Sequence, residues 1–234
     1  MTTDRIQSEQ DRGESTLAPE QRGARAAHVP RVAIRRAADG DLALVAQVHA
    51  AAFPRSFYTA LGARFLVSYY RVILRSDKAV LLVAEDPAVL GFLAGSRDTL
   101  GVRQPVRWRQ VVWPMLRGLL VRPHLWPRLL RRSLRYMPSR QPRGTQCHNS
   151  CEIGPMAVLP DHSGAGVGTQ LVSAFLQWAR ELGAETVFLN TDPATTDVDR
   201  AARFYQRLGF RPVQSIRVDA GRVLTEYMLD LRST

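Results

Sequence analysis

The segment Ser163-Gly164-Ala165-Gly166-Val167-Gly168 constrains the fold of this chain more than any other. Before it runs an apolar stretch, Glu152 to Leu159, stopped by Pro160. After it Val167, Leu171, Phe175, Trp178 and Leu182 recur at helical spacing, and Gly183 follows. The pattern reads as a strand, a glycine turn and an amphipathic helix closed by a glycine. Alternating glycines let a backbone approach a ligand closely. The first-turn N–H groups of the helix lack intrahelical partners and sit at the positive end of its dipole. The turn is therefore a candidate phosphate cradle. A Walker loop requires Gly-Lys-Ser/Thr, whereas Gly168 is followed by Thr169 with no lysine. A dinucleotide fingerprint requires G-x-G-x-x-G near the start of the chain, and the spacing here is G-x-G-x-G. On the turn alone, a tight strand–helix corner without a ligand stays open.

The rest of the chain alternates between the two periods. Arg31 to Arg36 reads as a strand. Asp39 to Phe53 reads as a helix capped by Asp39, with Leu42, Val45, Ala46 and His49 on one face and Pro54 as its stop. Thr59 to Leu74 reads as a single second helix through Leu61, Phe65, Tyr69 and Val72. Ala79 to Glu85 and Val89 to Gly95 form a predicted hairpin around Asp86-Pro87-Ala88. Beyond the glycine turn, Glu185 to Asn190 is a strand and Asp199 to Leu208 a short helix closed by Gly209. Phe210 to Val218 and Val223 to Leu231 form a last hairpin turning at Asp219-Ala220-Gly221. The order is β-α-α-β-β, an insertion, then β-α-β-α-β-β.

With 234 residues, 45% of them hydrophobic, the chain suits one domain with a substantial core. No apolar run is long enough to span a bilayer. Residues 1–30 lack both the apolar segment of a secretory signal and the apolar surface needed to offset ordering entropy. They read as a disordered tail before a domain over 31–234. Acidic residues in that tail disfavour a transit peptide, so a cytoplasmic protein is expected. Cys147 and Cys151 lie near only two histidines, His148 and His162. They read as reduced thiols and not as a metal site.

The net charge of +11 is local. Between Asp98 and Glu152 there is no acid, and arginine stands at 103, 107, 109, 117, 122, 128, 131, 132, 135, 140 and 143, so these eleven account for the whole excess. The segment 97–147 also holds Trp108, Trp113 and Trp126, with Pro114, Pro123 and Pro127 dividing it into predicted short helices. A solvated helical cap is one reading. Others are a lid for an anionic acceptor, since arginine pairs bidentately with phosphate, and a surface for anionic lipid or for tRNA. No recognised nucleic-acid-binding module is present.

A second motif stands some thirty residues past the turn: Ala201-Ala202-Arg203-Phe204-Tyr205-Gln206-Arg207-Leu208-Gly209-Phe210. Together with Val158-Leu159-Pro160 through Gly168, it resembles the cofactor-binding core of the GNAT acetyltransferases. Their pattern runs V-x-P-x-x-R-G-x-G-x-G, then helix, strand and A-x-x-F-Y-x-x-x-G-F. The resemblance covers residues 31 to 96 and 151 to 231 and leaves the basic segment outside. It implies an α/β (α+β) fold with a mixed, splayed sheet of six to seven strands flanked by helices, the basic helical insertion falling between the third and fourth strands.

The resemblance also implies acetyl-CoA as co-substrate and direct acyl transfer to the amine of a small-molecule acceptor, anionic or nucleotide-linked if the basic segment contacts it. Cofactor contacts would come from Met156, Ala157 and Val158 on the strand, from Ser163, Gly164, Ala165, Gly166, Val167, Gly168 and Thr169 around the turn, and from Asn190 and Tyr205. Glu152 would be the general base, with His148 and Asp192 as weaker candidates, and Tyr205 the general acid beside the sulfur. Two positions depart from the pattern. Ser163 replaces Arg or Gln, so affinity would lean on backbone amides and a distant arginine. Val198 replaces Asn, with Asp197, Asp199 or Asn190 as substitutes. A non-catalytic CoA- or partner-binding domain, and an acyltransferase docked on membrane or tRNA through residues 101–145, are the alternatives. A homodimer stays open.

Overall fold

The computed structural model describes residues 32–97, 149–191, 197–219 and 222–232. The tail 1–30, the basic segment with its expected helices, Cys147, His148 and Asp192 lie outside the described residues, as does the tip of the last hairpin.

The elements run β1 (Ala33–Arg36), α1 (Leu42–Ala52), α2 (Phe57–Leu61), α3 (Ala63–Leu74), β2 (Ala79–Asp86), β3 (Ala88–Arg97), β4 (Ser150–Val158), α4 (Val167–Glu181), β5 (Thr186–Thr191), α5 (Val198–Arg207), β6 (Arg211–Asp219) and β7 (Arg222–Asp230). The seven strands form one mixed sheet in the order β1-β2-β3-β4-β5-β7-β6. Strand β2 reads as an unbroken apolar run because both its faces are covered. Val80, Leu82 and Ala84 pack with α4, while Leu81 and Val83 pack with α1 and α3. Arg35 ties the first strand down: its guanidinium reaches Asp41 at 2.6 Å and 3.0 Å and Glu85 at 2.5 Å, which fixes the start of α1 against the sheet.

The single helix expected over 59–74 is two. Ser56 Oγ accepts from the Tyr58 amide and starts α2 early, and Gly62, at φ +96°, ends α2 and begins α3. The apolar spacing runs through the break because Leu61 and Phe65 share one small buried cluster. Across the break α2 stays packed on α3, Tyr58 stacking on Phe65, and the hydroxyl of Thr59 donates to the Phe53 carbonyl at 2.8 Å, pinning the loop between α1 and α2.

The central strands position the site. β4 and β5 are parallel and pair only over Ser150–Ile153 against Thr186–Leu189. Past Ile153, β4 continues against β3 alone, while Asn190 and Thr191 continue against β7 alone. The divergence begins at an irregularity. Leu93 pairs with Met156 but Gly95 pairs with Ile153, so β4 carries an extra residue at Gly154–Pro155, where proline has no N–H to donate.

Candidate active site

The divergence opens a cleft of about 1590 Å³. That exceeds the roughly 300–1,000 Å³ of a typical small-ligand pocket, leaving room for two reactants.

One wall is the freed edge of β4. The Leu159 amide donates to the Leu90 carbonyl at 2.8 Å, toward β3. Backbone polarity alternates along an antiparallel pair, so Val158 and Met156 direct their amides and carbonyls away from β3, into the opening. The Met156 and Val158 side chains pack with the α4-side core and Ala157 with the opposite one.

The glycine turn forms the end of the cleft. Gly164 and Gly166 have φ of +91° and +82°, conformations that other residues rarely adopt. Ser163 and Ala165 use their amides within the turn, on the Pro160 and His162 carbonyls. The first intrahelical bond of α4 is donated by Gln170, to Gly166 O at 3.1 Å. The amides of Gly164, Gly166, Val167, Gly168 and Thr169 are thus left without a backbone acceptor among the described residues. Ser163, Gly164, Gly166, Gly168 and Thr169 line the cleft. Ala165 and Val167 turn their side chains into the core, so only their backbone is available to a ligand.

The far wall comes from β5 and α5. Asn190 is exposed in the cleft beyond the point where β5 leaves β4. Asp197 also lines it, but its carboxylate caps α5 by accepting from the Arg200 amide at 3.1 Å. Tyr205 is 9% exposed, its ring held by Phe204, Phe210 and Tyr227. Burial pushes its phenol well above the ordinary value, so it stays protonated at neutral pH and can donate. Across the cleft, Glu152 on β4 lies close enough to Tyr69 to help burial and Tyr58 hold that phenol protonated.

The wall facing Glu152 has no signature in the local sequence. Phe53, Phe57, Tyr58 and Tyr69 line the cleft beside it, Tyr58 stacking on Tyr69 with centroids 5.2 Å apart. Their helical spacing marked Tyr69 as core and Phe53 as a helix end, and only the break at Gly62 brings α2 round to join them. His49 also reaches the cleft. It is 3% exposed, stacks near Phe92, and its Nδ1 lies 2.6 Å from the Tyr70 hydroxyl. Its Nε2 has no hydrogen-bond partner among the described residues.

Burial lowers the His49 pKa from 6.5 to about 4, so it is neutral at pH 7. The unfolded chain binds that proton more tightly than the folded one. His49 therefore contributes full stability above about pH 6.5, and up to about 3 kcal/mol is lost as pH falls through 4. Urea unfolding at a series of pH values across that window should show the decline, and His49→Gln, which does not titrate, should flatten it. An identical slope in the variant would assign the decline to other groups.

A model of the acetyltransferase (GNAT) family matches residues 44–210. The chain matches no curated protein sequence. Among solved structures it is similar to an N-acetyltransferase from Staphylococcus aureus Mu50, with a TM-score of 0.56 at 15% identity over 86% of this chain and 98% of that one. It is also similar to the ribosomal-protein-S18-alanine N-acetyltransferase of Escherichia coli, with a TM-score of 0.52 at 13% identity over 86% and 94% of the two chains. A third is Arabidopsis thaliana NAA60 in complex with acetyl-CoA, with a TM-score of 0.54 at 14% identity over 86% and 99%. At such identities the likeness is one of fold.

Proposed function

The chain belongs to the GNAT acetyltransferase family, and from that premise we propose that it transfers the acetyl group of acetyl-CoA directly to the amine of a small-molecule acceptor. One observation carries this reading: the gap between β4 and β5 joins the unbonded amides of the glycine turn to a cleft lined by Glu152 and Tyr205. A diphosphate fits the turn, and an extended amide-bearing arm fits the polar edge of Met156 and Val158 as a strand would.

Acetyl-CoA supplies a thioester carbonyl as the electrophile. Glu152 accepts a proton from the acceptor's ammonium, directly or through a water, leaving a nitrogen lone pair that attacks the carbonyl carbon. A β4 amide donates to the developing oxyanion, a contribution typically worth about 3 kcal/mol. As the C–N bond forms and the C–S bond breaks, the nitrogen releases its second proton to solvent and the Tyr205 hydroxyl gives its proton to the departing sulfur. The products are an amide and a free thiol, and Tyr205 is reprotonated from solvent.

The described acceptor wall is aromatic, with Glu152 as its carboxylate and Arg55 as one cation at the rim. A primary amine on an apolar or aromatic body suits it: the rings bury the body, and the carboxylate meets the ammonium. The anionic or nucleotide-linked acceptor expected from the arginine-rich segment, and docking on membrane or tRNA through residues 101–145, depend on residues outside the described ones.

The test is thiol release from acetyl-CoA with a panel of arylalkyl, aliphatic and phosphorylated amines. Turnover with the arylalkyl members is the expected result. Preference for phosphorylated amines would return the acceptor to the basic segment. Tight CoA binding with no turnover across the panel would favour a non-catalytic domain. Folded protein without affinity for CoA would defeat the assignment.

A further inference from the structure

We propose that Arg200, from α5, supplies the diphosphate-binding cation of the glycine turn and determines how tightly the site holds phosphorylated forms of its cofactor; this rests on the reading of the cleft as a coenzyme A site. The turn Ser163–Gly168 contains no cationic side chain of its own. The Arg200 guanidinium hydrogen-bonds Ser163 Oγ, thirty-seven residues away in sequence, and both residues line the cleft.

That contact uses one of five guanidinium donors and satisfies it with a neutral hydroxyl. The Asp197 carboxylate, which also lines the cleft, is engaged with the Arg200 backbone amide. Among the described residues no carboxylate forms an ion pair with the guanidinium. An arginine in the first turn of a helix also opposes the helix's own dipole, so local helix formation does not explain its presence. What does fit is an anion between the two elements. An arginine fork meets two oxygens of a diphosphate at once, while the turn's amides take others. Ser163 holds the side chain over the turn before the ligand arrives.

The experiment is calorimetry on the full chain with coenzyme A, dephospho-coenzyme A and pantetheine, comparing wild type, Arg200→Gln, Arg200→Lys and the exchange Ser163→Arg with Arg200→Gln. Arg200→Gln is expected to weaken coenzyme A and dephospho-coenzyme A by the same factor, about 10- to 30-fold, and to leave pantetheine unchanged. Arg200→Lys should lose less, and the exchange should restore most of the affinity by returning the cation to the turn. The residue is exposed, so melting temperatures should match. Affinities for coenzyme A unchanged by Arg200→Gln would overturn the proposal. So would a loss confined to coenzyme A and absent with dephospho-coenzyme A, which would assign the arginine to the ribose phosphate. Wild-type protein that is folded and binds neither ligand would refute the cofactor reading itself, an outcome distinct from both.

Discussion

Gly164→Asp is expected to weaken coenzyme A binding by at least about 100-fold in a chain that still folds. A Cβ built on Gly164 meets no atom within 4 Å, so the new side chain finds open space beside the turn without a clash. Its φ of +91° suits glycine, but aspartate and asparagine tolerate positive φ better than other residues, at a cost of roughly 1 kcal/mol. Gly164→Asn is therefore the matched control: same shape, same backbone cost, no charge. A carboxylate about 4 Å from a diphosphate charge is opposed by about 4 kcal/mol at the dielectric of a protein surface. The aspartate should thus weaken coenzyme A by at least about 100-fold, against about 10-fold for asparagine, with similar melting temperatures. Equal losses in the two variants would show that shape, not anion repulsion, is being read. No loss in either would place the diphosphate elsewhere.

Tyr205→Phe and Glu152→Gln should separate chemistry from binding. The phenylalanine keeps the contacts with Phe204, Phe210 and Tyr227 and removes only the proton donor. Turnover is expected to fall by about 10²-fold with coenzyme A affinity unchanged. Glu152→Gln keeps the shape of the side chain and removes the base; a loss of about 10²–10⁴-fold in turnover is expected, again without weaker cofactor binding. Because burial holds the Tyr205 phenol above its ordinary value of 10.0, the wild-type rate should not decline up to about pH 10 on its account. Single-turnover rates with a saturating amine are the appropriate measurement. Undiminished single-turnover rates in Tyr205→Phe would remove the tyrosine from the mechanism, and the same result in Glu152→Gln would leave the base to another group.

Much of the fold was legible because its determinants are local. The strand, glycine turn and helix at 152–182 could be read from one short stretch, where periods of two and 3.6 are separated by glycines that only a turn explains. The frame Ala201 to Phe210 was equally readable, and both lie on the cleft. The break at Gly62 was missed because a buried stripe at helical spacing continues through it in Leu61 and Phe65. Tyr69 accordingly looked like a core position of one helix and Tyr58 fell just outside it, although both form a wall of the site.

The amino-acid sequence by itself determined most of the elements, their order and the glycine turn. Each depends on propensity and spacing within a single stretch of chain. Tertiary structure decided where β4 parts from β5, which rings face Glu152, and that Arg200 lies against Ser163. Those relations join residues far apart in the chain. They arise only when the sheet has closed and a bulge at Gly154–Pro155 has redirected one strand, a balance of packing among many elements that no local pattern encodes.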